Sequence, residues 1–221
     1  MFEAMSDSMS KAIDVARGHA KLGHSVSLQI AGFVGFSYVL NGLAQWTPDY
    51  AASTLAQGLS TVPRDTLADL SLALIQYAII PGLFEELLFR GIVFAILTKL
   101  LGPGSAVLGS AVLFGAIHLD PHHAVVATLL GLQLGLIRHL HGLSVAVAAH
   151  VANNTAFILM TCLIYPAGSG VSSAQITISS FAIASVTAGA AWAVLVQRLR
   201  DSSASAASNP TDLQTTRRLD E

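Results

Sequence analysis

The motif FEELLFR places two carboxylates and a guanidinium within six positions of an otherwise apolar stretch. Glu86 and Arg90 are four residues apart, so in a helix they lie on one face and can form an ion pair. Glu85 points about 100° away, toward a different neighbour. One acid is therefore free to line a cavity while the other is neutralised locally. The structural alternative is an ion-pair cluster at a helix N-terminus, where acidic side chains are favoured.

Two further motifs each contribute a histidine at helical spacing from a second residue. In LFGAIHLDP, Phe114 and His118 share one face, and His118 is near the end of the helix. A single histidine at a helix end is only a weak indication of catalysis. In AAHVANNTA, His150 and Asn154 share a face about 10 Å along a predicted span, and Asn153 lies beside them. Polar groups at that depth need hydrogen-bond partners. The structural alternative is that they join neighbouring helices.

Taken together, the three motifs supply the groups required for hydrolysis of a peptide bond by water. A glutamate and a histidine can polarise a water molecule, and a histidine with an asparagine can donate hydrogen bonds to the developing oxyanion. We therefore expect Glu85, His118, His150 and Asn154 to converge on one polar pocket. Glu86 and Arg90 would then hold the helix in place.

The composition indicates that the elements carrying these motifs are membrane helices. The chain has 221 residues, of which 53% are hydrophobic and 11% charged, far below the charged fraction of about 25% in soluble domains. Of the charged residues, six lie in residues 1–21 and eight in residues 198–221. A net charge of −2 gives no basis for nucleic-acid binding, and the single cysteine, Cys162, excludes an internal disulfide.

The hydropathy pattern predicts seven apolar helices, several of them at or below the roughly 20 residues that cross a membrane. They cover residues 25–44, 66–83, 85–101, 105–119, 122–140, 143–165 and 174–197, with a break expected near Pro81-Gly82. Small residues at four-residue spacing, such as Gly131 and Gly135, predict close helix packing. The expected fold is an all-α, polytopic transmembrane bundle of about six to eight spans with a polar intramembrane cavity.

The expected organisation along the chain has five parts. Residues 1–24 form an amphipathic or frayed lead-in, and residues 25–65 form the first span with an interfacial loop. Residues 66–165 form the core that carries the motifs, and residues 166–200 form a C-terminal span. Residues 201–221 are small and polar, which predicts a disordered tail.

The order EExxxR, FxxxH and HxxxN resembles the CAAX-protease and bacteriocin-processing family of intramembrane proteases, also called the CPBP or Abi family. The motifs stand in residues 85–90, 114–118 and 150–154, and the resemblance covers roughly residues 66–165. It implies an intramembrane endopeptidase in which Glu85 and His118 activate water while His150 and Asn154 stabilise the tetrahedral intermediate. Glu86, Arg90 and Phe114 would be supporting residues.

Whether a metal takes part is open at this point. No HExxH motif is present, and a glutamate–histidine mechanism needs no ion, so the favoured interpretation has no cofactor. If zinc is used, Glu85, His118 and His150 would be its ligands, with water in the fourth position.

Four other histidines do not suggest a metal site. His118 and His122 have metal-like spacing, but Pro121 between them is expected to end the helix. His122 and His123, like His139 and His141, are expected in interfacial loops.

The favoured function is hydrolysis of a peptide bond in a membrane-associated protein or peptide. The protein is expected to be a multi-pass protein of the plasma (inner) membrane, and its expected partners are the lipid bilayer and this substrate. One alternative is a non-enzymatic immunity or binding protein, in which the polar groups are structural. Another is a small transporter with a proton relay, although the paired broken helices and internal repeat typical of transporters are missing from the sequence.

Overall fold

The computed structural model describes residues 25–53, 66–164 and 178–208, and these residues contain helices and turns but no strand. Helix α1 spans Ser25–Ala44 and is followed by a short 3-10 turn at Tyr50–Ala52. The predicted lead-in at residues 1–24 and the end of the chain from residue 209 lie outside the described residues. An all-α bundle was predicted, and this prediction is confirmed.

A continuous helical path over residues 67–101 carries the acid pair. It consists of α2 (Leu67–Ala73), the π-helical segment π1 (Leu74–Ile79), α3 (Ile80–Glu86), the π-helical segment π2 (Leu87–Val93) and α4 (Phe94–Leu101). The path begins at a capping box, in which the Thr66 hydroxyl accepts from the Asp69 amide and the Asp69 carboxylate accepts from the Thr66 amide.

The predicted break at Pro81-Gly82 is wrong. Pro81 lacks an N–H and crowds the carbonyl four residues before it, which normally ends or kinks a helix. Here π1 ends just before it, at Ile79, and the amide of Ile80 bonds to the carbonyl of Ile75, five residues back. The wider π turn accommodates the proline, so two predicted spans form one helical path.

Four more helices complete the described fold: α5 (Pro103–Ala116), α6 (Pro121–His141), α7 (Leu143–Ile164) and α8 (Ile178–Ser208). Gly102 and Gly142 separate α4 from α5 and α6 from α7 with φ of 84° and 93°, a backbone region that other residues rarely adopt. Helix α8 includes residues 201–208, so the predicted disordered tail does not begin at residue 201.

The helices pack closely through small residues. A Cβ at Gly131 of α6 would lie 3.1 Å from Ala111 Cα of α5, and a Cβ at Gly135 would lie 3.2 Å from Val107 Cγ1. The predicted close packing at these two glycines is confirmed. Helix α1 packs on α6 and α7 through Phe33.

Three described helices are long and apolar enough to cross a membrane, namely α1, α6 and residues Leu143–Met160 of α7. This count is lower than the six to eight predicted spans. Two of the predicted spans merge into the path over residues 67–101. Helix α5 has only 14 residues, ending at Ala116 rather than near residue 119, and is too short to cross by itself.

Candidate active site

The two adjacent glutamates occupy different environments at the end of α3. The Glu86 side chain is completely buried, whereas 30% of the Glu85 side chain is exposed. The π segments π1 and π2 flank the α3 turn that carries them. Single π turns inside α-helices are frequent at functional sites, because they rotate side chains out of regular register.

Glu86 and Arg90 form the ion pair that their spacing predicted. Arg90 Nη1 donates to Glu86 Oε1 over 2.8 Å, and both side chains are fully buried. Arg90 Nη2 donates to the carbonyl of Gly131 in α6 at 3.0 Å, and the guanidinium stacks 4.5 Å from the centre of the Phe114 ring in α5. One arginine therefore connects the acid-bearing helix to two neighbouring helices.

His150 of α7 lies between the two glutamates and is only 7% exposed. Its Nδ1 lies 3.0 Å from Glu86 Oε1, and its Nε2 lies 3.9 Å from Glu85 Oε2. An ionised carboxylate can only accept, so Nδ1 carries the proton in the bond to Glu86. Glu86 thereby fixes the orientation of the imidazole and leaves Nε2 directed toward Glu85.

His118 is held in a similar way in the turn just after α5. Its Nδ1 lies 2.9 Å from the carbonyl oxygen of Phe114, which can only accept, so Nδ1 is again the protonated nitrogen. The Phe114 ring lies edge-on to both imidazoles, at 5.2 Å from His118 and 5.9 Å from His150. The imidazoles of His150 and His118 both lie near the Glu85 carboxylate.

Two asparagines follow His150 on α7. Asn153 is 6% exposed, and its Nδ2 donates to Asn154 Oδ1 over 3.2 Å. Because the Asn154 oxygen is engaged in this way, its amide group presents Nδ2 as a donor. Asn154 is half-buried, so it is more accessible than Asn153.

The structure thus places residues from α3, π2, α5 and α7 around one polar centre. Glu86 bonds to Arg90 and His150, and His150 also lies 3.9 Å from Glu85. The Phe114 ring packs against Arg90, His118 and His150. The bond between Glu86 and His150 was not expected from the sequence, because it joins residues 64 positions apart.

The predictions for the other histidines need correction. Pro121 begins α6 rather than ending a helix, with Asp120 as the N-cap. His122 and His123 lie in the first turn of α6, and His139 and His141 in its last turn, so none of the four lies in a loop. The His123 ring lies 4.1 Å from that of His118, a contact that the spacing of the two residues did not indicate.

Among the residues that the structure describes, no group of three histidine, cysteine or acidic side chains is arranged to hold a metal ion, and this includes the zinc set considered from the sequence. Glu86 Oε1, the acidic oxygen nearest to His150, already accepts from Arg90. The mechanism proposed below uses no metal ion.

One comparison with known proteins finds a similarity over part of the chain. Residues 67–156 match the family described as type II CAAX prenyl endopeptidase Rce1-like. None of the curated proteins and none of the solved structures compared with the chain matches it. At family level, the match supports a CAAX-type intramembrane protease.

The matched segment begins at the first residue of α2 and ends within α7, so it contains all three motifs and every polar contact among Glu85, Glu86, Arg90 and His150. The apolar helices around them agree with an integral membrane protein. Residues 67–156 are thus similar to the CAAX-protease (CPBP) family that the three motifs indicated.

Proposed function

We propose that the protein is an intramembrane endopeptidase that hydrolyses a peptide bond in a membrane-associated protein or peptide. The observation that supports this most directly is the different state of the two glutamates. Glu86 is buried and bonded to Arg90 and His150, whereas the Glu85 carboxylate is partly exposed and stands 3.9 Å from His150 Nε2. That separation is too long for a direct hydrogen bond and suits a water molecule between the two groups.

In the proposed reaction, Glu85 is the general base and His118 helps to orient the water. The Glu85 carboxylate takes one proton from the water, and His118 Nε2 accepts the second hydrogen of the same water as a hydrogen bond. The water oxygen then bonds to the carbonyl carbon of the substrate, which gives a tetrahedral intermediate with an anionic oxygen. Glu85 returns the proton to the leaving nitrogen as the C–N bond breaks, which yields a carboxylic acid and an amine.

His150 and Asn154 would stabilise the oxyanion. The Asn154 amide donates from Nδ2, and His150 in its imidazolium form donates from Nε2 while Nδ1 remains bonded to Glu86. Glu86 and Arg90 act by positioning, since their side chains have no exposed surface. No cofactor is part of this proposal.

The substrate is expected to reach Glu85 from the membrane, because the residues next to Glu85 are apolar and exposed. Phe84, Leu87 and Leu88 are 64%, 42% and 47% exposed, which is what lipid-facing positions require. We infer a multi-pass protein of the plasma membrane whose partners are the bilayer and a lipophilic substrate. A prenylated CAAX peptide is the first candidate, by analogy with the matched family.

The test uses the full-length protein in lipid nanodiscs with a fluorogenic CAAX reporter peptide, prepared with and without a farnesyl group. Wild type is expected to cleave the reporter, and Glu85→Gln to lower kcat about 100- to 10,000-fold, the usual contribution of general acid–base catalysis. His139→Gln is the matched control, because His139 is an exposed residue at the far end of α6.

In parallel, membrane peptides from cells that carry wild type or Glu85→Gln are compared by mass spectrometry. A protein that accumulates uncut only with Glu85→Gln would identify the natural substrate. Equal cleavage by wild type and Glu85→Gln would overturn the assignment of the base. Wild type that cleaves neither reporter and changes no cellular peptide would favour a binding protein.

A further inference from the structure

The turn between α5 and α6 joins the candidate catalytic His118 to the first turn of α6. The His118 carbonyl accepts from the Asp120 amide at 2.6 Å, and Asp120 Oδ1 accepts from the His123 amide at 2.9 Å. Leu119 between them has φ of 58°, an unfavourable left-handed conformation for leucine. Such a conformation persists when the surrounding bonds determine it, as they do here.

This turn places the imidazole of His123 against that of His118. The ring centres are 4.1 Å apart and the planes are inclined by 49°. At this distance the two tilted rings are in van der Waals contact. Both side chains are half-buried, and the contact covers part of the surface of each ring.

His118 is consequently held on three sides. Its Nδ1 bonds to the Phe114 carbonyl, the Phe114 ring packs on it at 5.2 Å, and the His123 ring packs on it at 4.1 Å. Removal of the His123 ring would open one of these sides. The imidazole could then rotate about its side-chain bonds, and Nε2 would no longer keep one direction.

The neighbouring His122 has a different environment. Its Nε2 lies 2.9 Å from the carbonyl oxygen of Pro48, and its ring lies edge-on to Tyr50 at 6.2 Å. His122 therefore bonds to the segment after α1 rather than to His118. The chain thus provides a control histidine directly beside the residue under test.

We propose that His123 is a positioning residue, whose ring packs against His118 and holds Nε2 of His118 toward the water on Glu85. This inference rests on the proposed function for its catalytic consequence, but the contact itself can be tested separately. What His123 contributes is the shape of its ring, so an aromatic residue without ring nitrogens should replace it.

The first experiment measures the protonation and mobility of the His118 ring by ¹⁵N NMR of histidine-labelled protein in nanodiscs. The His118 signals are assigned as those that disappear in His118→Gln. Wild type is expected to show Nδ1 protonated and Nε2 unprotonated, as the bond to Phe114 requires. His123→Ala should shift both signals toward the averaged values of a mobile ring. His123→Phe and His122→Ala should leave them as in wild type.

The second experiment compares reporter cleavage by the same variants. His123→Ala is expected to lower kcat about 10- to 100-fold with KM unchanged, because a misplaced catalytic group slows the chemical step. His123→Phe should restore kcat to within about threefold of wild type, and His122→Ala should match wild type. The amount of monodisperse protein is recorded for each variant.

Unchanged His118 signals in His123→Ala would overturn the proposal whether or not the reporter is cleaved. The same conclusion would follow if His123→Phe were as slow as His123→Ala, because the ring would then not be the required feature. Altered His118 signals without any cleavage by wild type would retain the contact and refute the proposed function instead.

Discussion

The buried pair Glu86–Arg90 allows a quantitative prediction about folding as distinct from catalysis. Both side chains have no exposed surface, and the bond between them is 2.8 Å long. The change Glu86→Gln keeps the shape of the side chain and removes its charge, which leaves the Arg90 guanidinium buried with neutral partners only. Breaking a buried ion pair in this way typically costs about 3–5 kcal/mol.

At about 1.4 kcal/mol per factor of ten, this cost lowers the ratio of folded to unfolded protein about 140- to 4,000-fold. We therefore expect Glu86→Gln to yield much less monodisperse protein and to have a clearly lower melting temperature. The measurement is fluorescence-detected size-exclusion chromatography of detergent-solubilised protein after heating. Glu85→Gln is the control, because its carboxylate is partly exposed and its folded amount should match wild type.

A double variant identifies the cause of the loss. Glu86→Gln with Arg90→Met removes both charges and should regain a large part of the stability, because no unpaired buried charge remains. The reasoning would be refuted if Glu86→Gln were as stable as wild type, or if Glu85→Gln lost as much stability as Glu86→Gln.

Three further predictions concern the oxyanion group, helix packing and metal dependence. In steady-state reporter kinetics, Asn154→Ala should lower kcat about 100- to 1,000-fold with KM unchanged, and Asn153→Ala should lower kcat by a smaller factor. Wild-type rates in both variants would refute the oxyanion assignment. Gly82→Ala places a Cβ 2.6 Å from Val151 Cγ2 and 3.0 Å from Val151 N, so chromatography should show less folded protein than for wild type. Gly104→Ala is the control, because its Cβ meets no atom within 4 Å. Equal yields would contradict the close packing of α3 on α7. Treatment with a zinc chelator should leave the cleavage rate unchanged, and elemental analysis should find no stoichiometric zinc. A loss of activity that added zinc reverses would contradict the metal-free mechanism.

Local spacing was sufficient to predict some of the site. The pairing of Glu86 with Arg90 and the separate direction of Glu85 follow from helix geometry alone. The family resemblance followed from the order of the three motifs, and the match over residues 67–156 confirms it. The roles of Glu85, His118, His150 and Asn154 in catalysis remain predictions.

Other features depend on contacts between distant residues and could not be read from spacing. The bond from His150 to Glu86 requires α7 to lie beside α3, and the ring contact of His123 requires a left-handed Leu119 in the turn. Pro81 indicated a helix break, yet the π turn before it absorbs the proline. The number of spans was overestimated for the same reason, since hydropathy does not distinguish one long helical path from two short ones.

The length of the unbroken path over residues 67–101 also limits how deep the acid pair would lie in a bilayer that the path crosses. At 1.5 Å per residue, 35 residues extend about 50 Å, whereas the hydrocarbon layer is about 30 Å thick. Such a rod either leans strongly or emerges from the layer at an end. Glu85 is about 27 Å from its beginning and about 24 Å from its end, so any symmetric placement brings this carboxylate to the bilayer midplane. In the proposed reaction, the scissile bond would then travel about 15 Å from the headgroups to reach Glu85, which would favour peptide segments that are extended and easily dehydrated.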